Sequence, residues 1–147
     1  RTSYAINVTG TLNLLEAARA CGVARFVFAA SSAAYGDSEL LPKVETMTPS
    51  PLSPYASGKV AGEHLLQVYA HVYGMRTVAL RYFNAAGAVD PLGEDHDPEI
   101  HLIPRLLRSL LVEGEHFAVF GDDYATPDGT AVRDYDGVER PRGILAS

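Results

Sequence analysis

Between about Ala5 and Ala20 the apolar positions Ile6, Leu12, Leu15 and Ala18 recur with helical spacing, and Gly22 follows as a stop signal. Arg25 to Ala30 reads Arg-Phe-Val-Phe-Ala-Ala, short, aromatic and β-branched, the pattern of a buried parallel strand. Ser31 to Pro54 is rich in Ser, Pro and Thr and predicts a long loop, which in a compact domain carries function or is disordered. Helix returns from about Pro54 to Tyr73, with Val60, Leu65, Leu66, Val68 and Tyr69 on its apolar side and Gly74 at its end. Thr77 to Phe83 predicts a second buried strand. A polar stretch, Asn84 to Pro98, leads to a helix over about Leu102 to Val112, a short strand at Phe117 to Phe120 and a turn-rich segment, Gly121 to Thr130. Helix–strand alternation at this spacing means an α/β fold, a parallel sheet with crossover helices.

Composition changes that picture only at its margins. At 147 residues and 47% hydrophobic, the chain has enough apolar surface for one ordinary core. Twelve Lys and Arg against 18 Asp and Glu give a net charge of −6, which argues against nucleic-acid or anionic-membrane partners but leaves room for a local phosphate pocket. No apolar window reaches the roughly 18 residues of a membrane span. The single Cys21 excludes an internal disulfide framework and predicts a reducing, cytoplasmic setting. The chain begins at Arg1, without Met, almost directly in a helical pattern, and so reads as an excerpt of a longer protein.

The candidate chemistry centres on Tyr55 and Lys59. Residues four apart share a helix face, so the Lys59 ammonium reaches the Tyr55 phenol. A positive charge there favours the phenolate, which makes a Tyr a usable general base toward a substrate hydroxyl. In open parallel sheets, sites form beyond the carboxyl ends of the strands, and Ser31 and Asn84 each fall just past such an end.

Five segments occur in order around this pair. They are Asn7-Val8-Thr9-Gly10-Thr11, Ser31-Ser32-Ala33-Ala34-Tyr35-Gly36, Ser53-Pro54-Tyr55-Ala56-Ser57-Gly58-Lys59, Arg81-Tyr82-Phe83-Asn84-Ala85-Ala86-Gly87, and Phe120-Gly121-Asp122-Asp123-Tyr124 running on to Val132-Arg133-Asp134-Tyr135. Together they resemble the extended short-chain dehydrogenase/reductase family of nucleotide-sugar enzymes, over nearly the whole chain. The resemblance implies the later part of a Rossmann-type parallel sheet over 1–84, with the Tyr/Lys helix. It also implies the start of a small nucleotide-sugar-binding domain over 85–135.

It further implies NAD as cofactor and a UDP-sugar as substrate. Tyr55 resembles the catalytic base and Lys59 its partner at the nicotinamide ribose. Ser31 resembles the residue that hydrogen-bonds the sugar hydroxyl, with Ser32 beside it. Tyr82 and Asn7 match cofactor-side positions, and Asn84 one that contacts the nucleotide-sugar. Arg133 resembles the cation at the diphosphate, and Leu102, Ala118 and Phe120 match the uridine pocket. The implied reaction is reversible oxidation at sugar carbon 4, a turn of the 4-keto sugar, and return of hydride to its other face. Full-length relatives pair through helices, which implies a homodimer.

Dehydratases of the family carry an acidic pair where this chain has Ser32 and Ala33, which argues against dehydration. The Tyr-Phe-Asn-Ala-Ala-Gly and Pro-Asp-Gly-Thr segments favour the UDP-hexose 4-epimerase branch, which interconverts UDP-glucose and UDP-galactose. Another nucleotide-sugar epimerase or decarboxylase remains an alternative, as does a truncated, non-catalytic remnant, because the family's Gly-rich pyrophosphate turn has no counterpart here. From Asp136 onward no strand period is visible, and 136–147 reads as a divergent tail. His64 and His71 stand seven apart, and His96, His101 and His116 show no zinc spacing, so no metal is expected.

Overall fold

The computed structural model describes residues 2–93 and 95–137. It divides into two compact units, Arg1–Phe83 and Asn84–Ser147.

The first unit opens on one continuous helical run: α1 (Thr2–Tyr4), a π-wound turn (Ala5–Gly10) and α2 (Thr11–Ala20). Thr11, buried at the start of α2, donates its hydroxyl to the Asn7 carbonyl of the wider turn at 2.7 Å. β1 (Arg25–Ser31) and β2 (Arg76–Tyr82) pair in parallel, Arg25 opposite Arg76 and Ser31 opposite Tyr82. Between them runs α3 (Pro54–Tyr73), started by the Ser53 hydroxyl, which accepts the Ala56 N–H at 3.1 Å, and ended by Gly74 at φ 68°. Ser at the N-cap, Pro at the first turn and Gly after the end are the residues such a start and stop favour.

The alternation of β1 turns Phe28 and Ala30 inward while Val27 stays exposed. Phe28 and Ala30 join Leu15, Leu66, Tyr69 and Met75 in the core. A Cβ on Gly62 would stand 2.6 Å from the Phe28 ring, so only glycine lets α3 settle on β1 at this depth. Glu16 ties α2 to α3 by accepting the Tyr69 phenol. Arg19 and that phenol hold the Glu16 carboxyl below its usual range, and the carboxylate pushes Tyr69 up to about 12.

In the second unit β3 (Asn84–Ala86) pairs in parallel with β4 (Tyr135–Gly137), and α4 (Leu102–Leu111) begins after His101. Among the described residues no helix is long and apolar enough to cross a membrane.

The α/β class and the parallel crossover agree with the sequence pattern, and several boundaries move. Ser31 is the last residue of β1 rather than the first of a loop, and Ser32–Tyr35 forms a 3₁₀ turn. Phe117 to Phe120 is not a strand: nothing among the described residues pairs with it, and Val119 and Phe120 are exposed. A strand needs a partner ladder, which a short apolar pattern does not guarantee. Conversely, Asn84–Ala86 and Tyr135–Gly137 pair although neither carries a β-branched side chain, so the tail expected from Asp136 contributes two residues to a strand. The rest of that tail, 138–147, lies outside the described residues.

Candidate functional site

Parallel pairing brings Ser31 and Tyr82 side by side at the carboxyl end of the first unit's sheet. There the Ser31 hydroxyl accepts the Ala33 N–H at 3.2 Å and starts the 3₁₀ turn. That interaction uses an oxygen lone pair and leaves the hydroxyl proton able to donate. Ser32 follows, half-buried, in the turn itself. A cleft of about 230 Å³ lined by Ala33, Gly36, Asp37, Leu52, Ser53 and Ala56 lies between this turn and the first turn of α3, the turn that carries Tyr55.

Tyr55 is 47% exposed. Lys59, one turn on, sends its ammonium to the Ala29 carbonyl at 2.9 Å. From there it lies 5.7 Å from the centre of the Tyr55 ring and 5.1 Å from that of Phe28. The helix supplies the shared face, and the strand carbonyl fixes where on that face the charge rests. Asn7, in the π-wound turn, packs against the same helix: a Cβ on Gly58 would come 3.1 Å from the Asn7 Cβ. Its amide donates to Ser3 at 3.3 Å. π-wound turns frequently mark functional positions.

A buried ion pair behind this site escaped the sequence reading. Glu63 of α3 receives Arg81 of β2 in a two-pronged contact, Nε to Oε1 at 2.8 Å and Nη2 to Oε2 at 2.7 Å. The Arg81 guanidinium also lies 4.7 Å from the Tyr35 ring centre, so one side chain joins α3, β2 and the turn after Ser31. The Glu63 carboxylate, hydrogen-bonded to it, holds Arg81 above its ordinary range, and it stays charged. Its Nη1 is buried with no hydrogen-bond partner among the described residues. The available signal was Glu63 itself, an acid three residues from both Val60 and Leu66 on the apolar face of α3.

In the second unit β3–β4 pairing draws Asn84 beside the segment that carries Arg133. The Asn84 backbone N–H and side-chain amide both reach the Asp134 carbonyl, at 3.3 and 2.8 Å. Arg133 is exposed and donates to the Val132 carbonyl at 2.8 Å. Leu102 opens α4 and is 48% exposed; Ala118 is exposed, and the Phe120 ring, 86% exposed, lies 5.9 Å from the Arg105 guanidinium. Asp128 organises the turn ahead of Arg133 by accepting the Thr130 N–H and hydroxyl, which hold its carboxyl below the usual range.

The arrangement has counterparts in known proteins. UDP-glucose 4-epimerase of Rhizobium meliloti (strain 1021) is 47% identical over 134 residues, 90% of this chain and 41% of that protein. The crystal structure of UDP-glucose 4-epimerase from Brucella ovis in complex with NAD superposes with a TM-score of 0.86 at 47% identity, covering 91% of this chain and 42% of that one. The Bifidobacterium longum UDP-glucose 4-epimerase, in complex with NAD+ and UDP, gives 0.81 at 35% identity, over 91% and 42%. The chain thus spans about two fifths of the length of these relatives. A profile of the NAD dependent epimerase/dehydratase family matches residues 1–139, and with Ser31, Tyr55 and Lys59 on the elements just described, the chain belongs to that family.

Proposed function

We propose that this chain carries the acid–base part of an NAD-dependent UDP-glucose 4-epimerase. The observation that supports this most directly is Lys59, anchored on the Ala29 carbonyl and 5.7 Å from the Tyr55 ring, beside the strand that ends in Ser31. Ser31 orients the sugar 4-hydroxyl and Tyr55 takes its proton. Lys59 sets its side-chain nitrogen 5.7 Å from the centre of the phenol ring, and it retains N–H donors beyond the one used on Ala29.

The donor set fits a nicotinamide cofactor: a half-exposed phenol, an ammonium with spare donors, the Tyr82 ring 46% exposed at the strand end, and Asn7 against the same helix. NAD, when bound, supplies the hydride acceptor that a protein side chain cannot. The relatives from Brucella ovis and Bifidobacterium longum, crystallised with NAD and with NAD+ and UDP, support the same assignment. On the substrate side Arg133 pairs with the diphosphate, Asn84 contacts the nucleotide-sugar, and Leu102, Ala118 and Phe120 line the uridine. The reading places 1–84 in the cofactor domain and 85–135 in the substrate domain. It extends to galactose metabolism in the cytoplasm and to a homodimer. Exposed Leu14 on α2, and Val68 and Val72 on α3, support helix pairing between copies.

In the enzyme that carries this chain, Tyr55→Phe lowers conversion of UDP-galactose to UDP-glucose by at least about a hundredfold, the usual share of a general base. NAD stays bound. Undiminished turnover in that variant removes Tyr55 from the base role.

The exposed sheet face, with Val27 at 65% and Val78 at 52%, favours a second reading, that the chain alone holds no NAD. Calorimetric titration of the folded 147-residue chain with NAD separates the two. Saturable binding supports a working cofactor site in this chain, and its absence supports the second reading.

A further inference from the structure

We propose that His96, Glu99 and His101, in the segment leading into α4, form a site for a divalent transition cation of the zinc type. Sequence spacing shows no zinc pattern, yet folding gathers these three side chains. One ligand atom from each lies within 4.8 Å of the others. The two imidazole rings meet edge to face, centres 4.9 Å apart. Glu99 Oε1 stands 3.0 Å from His101 Nδ1, and the Glu99 side chain is only 9% exposed.

The geometry suits the chemistry. Zinc bonds of about 2.0–2.2 Å set tetrahedral ligand atoms roughly 3.3 Å apart. The Glu99–His101 pair is already there, and a ring nitrogen of His96 lies within 4.8 Å of both. Glu99 is also fixed from behind, accepting the His101 backbone N–H at 2.7 Å through the same oxygen.

Two imidazoles and one carboxylate favour zinc, nickel or copper over magnesium and calcium, which take oxygen alone. Asp95 and Asp97 flank His96 in sequence and add negative charge. The amino end of α4 opposes a cation, and Glu99 offsets it where it meets the His101 N–H. Arg105 and Arg108 line the same cleft as Asp97 and Glu99, with Arg108 paired to Glu115 at 3.0 Å and Arg105 over the Phe120 ring. Three protein ligands leave one coordination position for water or a further ligand. A bound ion clips the segment from His96 to His101 onto the start of α4, independently of the Tyr55 chemistry.

Equilibrium dialysis of the chain against zinc chloride, with cobalt(II) as a visible-absorbance substitute, tests the site. One zinc per chain is expected. His96→Ala and His101→Ala should each weaken uptake at least about tenfold, whereas His71→Ala, on the exposed face of α3, leaves it unchanged. All three positions are exposed, so circular dichroism of the variants stays that of the parent. No uptake by the folded chain overturns the proposal, and so does uptake that persists when His96 and His101 are both replaced.

Discussion

Arg133 makes one hydrogen bond among the described residues, to the carbonyl just before it, and its side chain is exposed. A guanidinium so placed has donors to offer an anion and little fold to support. Arg133→Ala should therefore leave stability unchanged and raise the Michaelis constant for the UDP-sugar by about tenfold or more, the worth of a charge-assisted hydrogen bond, with kcat little altered. An unchanged constant takes Arg133 out of the diphosphate role. At this scale the sequence spoke unevenly. The four-residue spacing of Tyr55 and Lys59 was enough to predict a shared face. It could not show that the Ala29 carbonyl, thirty positions away, holds the ammonium in place, because that contact depends on how deeply α3 sinks onto β1.

The elements depend on a few buried contacts, of which the Glu63–Arg81 pair is the most exacting. Side-chain exposures of 8% for Glu63 and 15% for Arg81 mean that removing one partner strands a charge away from water. Glu63→Gln is expected to lower unfolding stability by about 3 kcal/mol, read as a fall in the urea midpoint. The apolar double replacement Glu63→Leu with Arg81→Met should recover much of that loss. A Glu63→Gln midpoint equal to the parent's shows that the pair holds nothing together. Secondary structure was largely legible where a stop signal and periodicity agree, as in α3 with Pro54 and Gly74, while the Ser53 cap emerged only in the fold. It failed where pairing alone defines the element. β3 formed from Asn-Ala-Ala and the Phe117–Phe120 segment did not, because a ladder is decided by a partner distant in sequence rather than by the strand's own residues.

For the molecule as a whole, the exposed apolar residues of α2 and α3 should appear in its state of association. Sedimentation at micromolar concentration is expected to show two copies together, and Val68→Glu with Val72→Glu to separate them; a monomeric parent removes these helices as the pairing face. The β3–β4 ladder has another consequence. It joins residues separated by 50 positions, Asn84 and Asp134, with three register pairs to hold them. Closing a loop of that length costs about 3.5 kcal/mol in chain entropy before any constant term, and so short a ladder offsets little of it. Its amides therefore exchange with solvent ahead of those of β1 and β2. An anion held between Asn84 and Arg133 would draw the same loop shut, so ladder closure and ligand capture become one linked equilibrium, and amide protection at Asn84 becomes a gauge of occupancy.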